Sequence, residues 1–183
     1  MKTGRCLTIA LFLGLGCFTA SQGQESGKKL ILLHTNDMHS RLNGFSPETE
    51  YSPLVVNNDN TIGGFARIAA LIEEEKKKNS EEVLALDAGD FLMGTLFPIL
   101  EKSTGFQLPL MKKMGYDMVT LGNHEFDFGP QALAKIVTAS GENPIPLLVA
   151  TNVGFSAEDP ADDDLKLLFD QGIIKPYQVI EKN

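Results

Sequence analysis

The sequence predicts an α/β fold on a mostly parallel sheet, and three observations carry that expectation. Apolar runs of about five residues recur, each running into a polar cluster at its carboxyl end, as buried parallel strands do. Stretches with helical periodicity separate these runs, the order expected of right-handed βαβ crossovers. The polar clusters that could do chemistry all fall where such a sheet places ligands, outside the carboxyl ends of its strands.

The fold begins after a leader. MKTGR and then CLTIALFLGLGCF form a basic start and an apolar stretch of 13 residues, Cys6 to Phe18, which reads as an export signal over residues 1–23. A permanent span of the roughly 30 Å hydrocarbon core would need about 20 residues. Both cysteines, Cys6 and Cys17, lie inside the leader, so later residues have no thiolate for a disulfide or a metal. Cys17 follows Leu15 and Gly16 much as in a bacterial lipidation box, although Gly14 and Leu15 depart from the usual residues. A lipid anchor at Cys17 and simple cleavage after Ala20 or Gly23 both remain open. Either route gives an exported, periplasmic or envelope-associated protein, with 24–29 as a linker and 30–183 as the folded part.

In order, Leu30 to Leu33 make a first strand that enters HTNDMHS, and 42–61 form a polar loop containing Pro47, Pro53 and NNDN. Phe65, Ile68, Ala69 and Ile72 fall at i, i+3, i+4 and i+7 on a first helix, whose EEE at 73–75 and KKK at 76–78 read as a solvated face with i,i+3 pairs. VLALDAGD at 83–90 is a second strand. The next connection, FQLPLMKKMGYD, is interrupted by Pro109 and stopped by Gly115. MVTLGNHE at 118–125 is a third strand, GPQALAKIVTASG a helix opened by Pro130 and closed by Gly141, and PLLVATNV at 146–153 a fourth strand. An acidic loop at 154–164 follows, and YQVIEKN reads as the start of another strand or hairpin.

A formal charge of −8 without a basic cluster argues against a nucleic-acid polymer as partner. The absence of GxxxxGK, GxGxxG and GxSxG disfavours nucleotide kinases, dinucleotide enzymes and serine hydrolases of the common kinds.

Three successive strand ends carry the chemistry. Asp37 and His39 lie two apart in NDMH, and on an extended segment they would point the same way. Asp90 follows Gly89 at the second strand end, and Asn123 follows Gly122 at the third. Each is a common turn residue for reasons unconnected with metal. Together they form a set of oxygen donors with one nitrogen that suits manganese or zinc. A shared carboxylate could bridge two cations about 3.5 to 4 Å apart, which would clamp a phosphoryl group and activate water.

NDMH, LDAGD and LGNHEFDFG, in this order and spacing, resemble the first three signature blocks of the calcineurin-like metallophosphoesterases. LLHTNDMHSRL with GGFARIAALI, and GYDMVTLGNHEFDFG, are similar to the 5′-nucleotidase branch, which includes exported 5′-nucleotidases, UDP-sugar hydrolases and 2′,3′-cyclic-nucleotide phosphodiesterases. The resemblance implies a layered metallophosphoesterase fold of which this chain is the N-terminal half, incomplete at its C-terminus. It implies two divalent ions, zinc or manganese, and metal-activated water attacking a nucleotide or other small phosphate ester. Asp37 and His39 would bind the first ion, Asp90 would bridge, and Asn123 would bind the second. His124 would be a non-ligand that stabilises the transition state, with Asp127 orienting its imidazole. Glu125 and His34 match the pattern as structural residues, His34 packed and hydrogen-bonded. Gly63, Gly64 and Arg67 match it at a close helix-to-sheet approach with a buried ion pair.

The family completes its site with three more histidines, two of them in a GHxH block, whereas no histidine follows His124 here. The nucleotide-binding C-terminal domain of the family is also absent. The expectation is a fragment or split reading frame, with these 183 residues inactive alone. Two other readings stand beside the nucleotidase: a thiosulfohydrolase of the same family, and a non-catalytic exported binding protein derived from it.

Overall fold

A computed structural model describes residues 29–45, 61–79 and 82–181. The leader with Cys6 and Cys17, and positions 46–60 of the long polar loop, lie outside the described residues. Five parallel strands form one sheet in sequential order: β1 (Ile31–Thr35), β2 (Val83–Asp87), β3 (Met118–Thr120), β4 (Leu147–Val149) and β5 (Ile174–Lys175). The register pairs Leu33 with Ala85, Leu86 with Met118, Val119 with Leu148 and Leu148 with Ile174.

Five helices connect the strands: α1 (Phe65–Lys78), α2 (Pro98–Thr104), α3 (Gln107–Met114), α4 (Pro130–Ala139) and α5 (Asp163–Asp170). Sequential strand order with right-handed crossovers places all of them on one face of the sheet. On that face Val83, Ala85, Val119, Leu148 and Ile174 are buried together with Ile72, Leu108, Met111, Leu133, Ile136 and Leu165 of the helices. Burying these apolar side chains, at about 1.5–3 kcal/mol each, is the main force holding the layers together.

The helices start and stop where the chain's punctuation dictates. Pro130 occupies the first turn of α4, where its missing N–H costs nothing. Gly105 and Gly115 end α2 and α3 in the left-handed conformation. Pro109 does not break the connection between β2 and β3, because it falls in the first turn of α3, after a separate helix α2.

Several expectations are corrected. The last strand is Ile174–Lys175, not YQVIEKN, whose described part is irregular. The acidic loop at 154–164 is shorter than its composition suggested, because α5 already begins at Asp163. Lys77 and Lys78 do lie on a solvated face, paired at i,i+4 with Glu73 and Glu74. Lys76 does not. Its ammonium reaches across to Asp117 at 2.8 Å and to the carbonyl of Gly115, while Asp117 accepts the amide of Ala85, tying α1 to the second and third strands. His34, expected to be packed and hydrogen-bonded, is exposed, since it projects from the face opposite the helices. Arg67 is half-buried and donates to Thr61 Oγ1 and the Gly63 carbonyl, both at 2.9 Å. Among the described residues no helix is long and apolar enough to cross a membrane.

Candidate metal centre

The loops that leave β1, β2 and β3 at their carboxyl ends are laid against one another by backbone hydrogen bonds. The amides of Asp37, His39 and Ser40 donate to the carbonyls of Gly89, Asp90 and Phe91 at 3.0, 3.0 and 2.8 Å. The loop after β1 therefore runs beside the loop after β2. Asp37 (φ 53°), His39 (46°), Ser40 (50°), Asp90 (57°) and Met93 (67°) all adopt the left-handed conformation. Each costs of order 1 kcal/mol or more for a non-glycine residue, and such strain gathers at functional sites. Three of the four sequence-predicted metal ligands are in this set.

That geometry corrects the expected local structure. Asp37 and His39 are not on an extended segment; a tight left-handed turn brings His39 Nε2 to 3.7 Å from Asp37 Oδ1. The second and third loops touch just as closely. A Cβ on Gly122 would collide with the Asp90 carboxylate and sit 2.6 Å from the Asp90 amide nitrogen, and one on Gly89 would meet the Gly122 backbone. Glycine is the residue that fits at both places.

His39 Nδ1 lies 3.3 Å from the Leu92 carbonyl, an acceptor only, so Nδ1 is the donor of that contact and Nε2 is the nitrogen the neutral ring would offer a cation. Single ligand atoms of His39, Asp90 and His124 all lie within 4.8 Å of one another, and the two imidazole rings meet edge to face at 5.0 Å. His124 donates its backbone amide to Asp90 Oδ1 at 2.9 Å. Its Nδ1 is 2.7 Å from Asp127 Oδ2, a contact that raises the imidazole's pKa above the usual histidine range, chiefly through that hydrogen bond. Asp37 stands beside this cluster with its side chain 55% exposed. Asn123 is exposed, just before the 3-10 turn His124–Phe126. The structure thus brings His39, Asp90 and His124 together, with Asp127 bonded to the His124 ring and Asp37 beside His39.

Sequence reasoning gave too little to two buried groups beneath the cluster. Glu125 is fully buried and accepts three backbone amides, from Asp90 at 2.9 Å, Leu92 at 3.0 Å and Gly122 at 2.6 Å. Burial raises its pKa, and those three donors oppose the rise. Ser40, also fully buried, receives the Gln107 side-chain amide at 2.9 Å, and Gln107 in turn donates its backbone amide to Glu101 at 2.8 Å. The only signal for Glu125 was its place inside the motif; for Ser40 and Gln107, far apart in sequence, there was none.

The imidazole of His39 and the carboxylate of Asp90, with the Asp37 carboxylate alongside, form a donor set that fits a divalent cation of the zinc or manganese kind, and the His124 ring, engaged by Asp127, stands beside it. One imidazole tautomer is already set by a backbone carbonyl, as ligating histidines require. The calcineurin-like phosphoesterase model matches residues 30–178, and the chain belongs to that family. Among its relatives, the 5′-nucleotidase of Bos taurus is 34% identical over 98% of this chain and 29% of its own length. The solved 5′-nucleotidase precursor of Thermus thermophilus is 32% identical with a TM-score of 0.59, over 82% of this chain and 26% of that one. The NAD nucleotidase of Haemophilus influenzae is 30% identical with a TM-score of 0.53, over 67% and 20%. The chain therefore spans less than a third of the length of these relatives.

Proposed function

We propose that this chain supplies the N-terminal part of the metal centre of a 5′-nucleotidase-type phosphoesterase acting on a nucleotide or another small phosphate ester. The convergence of His39, Asp90 and His124 at three adjacent strand ends carries the reading. Asp37 and His39 would hold one divalent ion, Asn123 a second, and Asp90 would bridge them. Ions bound there supply Lewis acidity toward a phosphoryl oxygen and lower the pKa of bound water. His124, with Nδ1 engaged by Asp127, has Nε2 as its other ring nitrogen, and as an imidazolium it can donate from there to an oxygen on which charge accumulates. Asp127 holds that ring in place. An export signal over residues 1–23 would put the reaction outside the cytoplasm, with Cys17 as the site of any lipid anchor.

Asp37, His39, Asp90 and Asn123 are fewer donors than two ions need, so turnover by the 183 residues alone is expected to be negligible. The test compares this chain with the product of the whole reading frame around it, measuring phosphate release from AMP and bis-p-nitrophenyl phosphate with manganese or zinc. Release by the longer product, abolished by a chelator, is expected. Release of no phosphate from either compound, with either ion, overturns the reading. Turnover of a thiosulfonate-type ester in its place would favour the thiosulfohydrolase.

A further inference from the structure

We propose that Glu125 is a positioning residue that sets the separation of the second and third loops, and with it the cation affinity of the centre. The inference rests on the metal-centre reading above. Glu125 Oε2 accepts the amides of Asp90 and Gly122, and Oε1 accepts the amide of Leu92. One buried carboxylate thus spans the loop that carries Asp90 and the loop that carries Asn123 and His124. The link is reciprocal, because Asp90 Oδ1 accepts the amide of His124, the residue just before Glu125. Each loop's acid holds the other loop's backbone. The three donors use both carboxylate oxygens, and water has no access to replace a lost acceptor, since Glu125 is fully buried.

The same latch holds Asp90 in its left-handed conformation, φ 57°, from which its carboxylate meets His39 and His124. Without the latch, Asp90 could relax to an ordinary backbone conformation and carry its carboxylate off the cluster. A glutamine cannot substitute. Whichever way its amide is turned, the NH2 group faces at least one of the three N–H donors.

The experiment is a cobalt(II) titration of the 183-residue chain followed by its visible absorption, for the wild type and for Glu125→Gln, Glu125→Asp and Leu165→Ala. Leu165, on the buried face of α5, serves as a variant that lowers stability away from the loops. Glu125→Gln is expected to weaken cobalt binding by about 10–100-fold and to change the band shape. Leu165→Ala should leave affinity within about twofold of wild type at a temperature where both chains are folded. Should Glu125→Gln fail to fold, Glu125→Asp, which keeps the charge but is too short to reach both loops, is expected to show the same loss. A folded Glu125 variant that binds within twofold of wild type, or an equal loss in Leu165→Ala, overturns the positioning role alone. No cobalt binding by the wild-type chain at millimolar concentration removes the metal-centre reading for this chain, and the inference with it.

Discussion

At the scale of the residue, the pair His124–Asp127 makes a measurable statement that needs no turnover. The imidazole pKa is raised mainly by the hydrogen bond that the ring donates to Asp127, so the pair favours the protonated ring. The sign follows: its contribution to the fold is present below about pH 6.5, the unfolded value, and fades as pH rises through the raised midpoint. In Asp127→Asn, an NMR titration of His124 should give a midpoint shifted down toward 6.5; an unmoved midpoint would show that Asp127 does not govern the ring. Asp87 makes the opposite kind of prediction, because its pKa is pushed from 3.8 to about 6 by burial, against hydrogen bonds from Thr35 and Gly89. Here stability is highest below pH 3.8 and is lost as pH rises to about 6, by up to ~3 kcal/mol. Urea unfolding of Asp87→Asn at pH 4, 5, 6 and 7 should lack that slope. Of the three side chains that the structure clusters, His39 and Asp90 were legible as polar residues at consecutive strand ends, and His124 through the motif that contains it. The left-handed conformations of Asp37, His39 and Asp90 were not, because neither Asp nor His announces positive φ when no glycine is required.

At the scale of the element, strands one to four and the helices at 65–78 and 130–139 could be read because each has a single strong period and clear end signals. α5 and β5 could not. The i,i+3 pair Leu165 and Leu168 after three aspartates is a short signal inside an acidic stretch, and Ile174–Lys175 is only two residues long. The contacts between loops were equally hidden, since they join residues distant in sequence. Gly122 shows the consequence. Its backbone conformation is ordinary, yet a methyl group there would strike the Asp90 carboxylate and backbone. Gly122→Ala should therefore cost about 1–3 kcal/mol in unfolding free energy, the range for overpacking a close contact. It should also disturb the amide signals of Asp90 and His124 in an NMR spectrum before those of α4 or α5. A variant as stable as the wild type, with unchanged Asp90 and His124 signals, would mean that the two loops are less closely apposed.

At the scale of the whole molecule, one-sided helix packing leaves the other face of the sheet apolar. Residues alternate along a strand, so the side chains between the buried ones must project to the face away from the helices. Leu32 pairs with Leu84, and Leu86 with Met118, which pairs with Leu147. Apart from the exposed His34, which pairs with Leu86, this row is leucine and methionine where a solvated sheet face would be polar. Leu32 is 55% exposed and Leu147 39%, while Leu84, Leu86 and Met118 are partly covered by their neighbours. A contiguous apolar patch of this kind favours association of any chain that presents it to water. Among the described residues β1 is an edge strand, and a sheet edge offers backbone hydrogen-bonding groups beside the patch. The 183-residue chain is accordingly expected to bind a hydrophobic dye such as ANS while folded, and to sediment faster as concentration rises. Replacing Leu32 and Leu147 together by lysine would place two charges on this surface while leaving the helix-side core untouched, because both side chains already reach solvent. The double variant should fold with about the same stability, lose most of the dye signal and sediment as a monomer. Undiminished dye binding in a folded double variant would place the apolar surface elsewhere, and a monomeric wild type with no dye signal would mean that the sheet face is already covered.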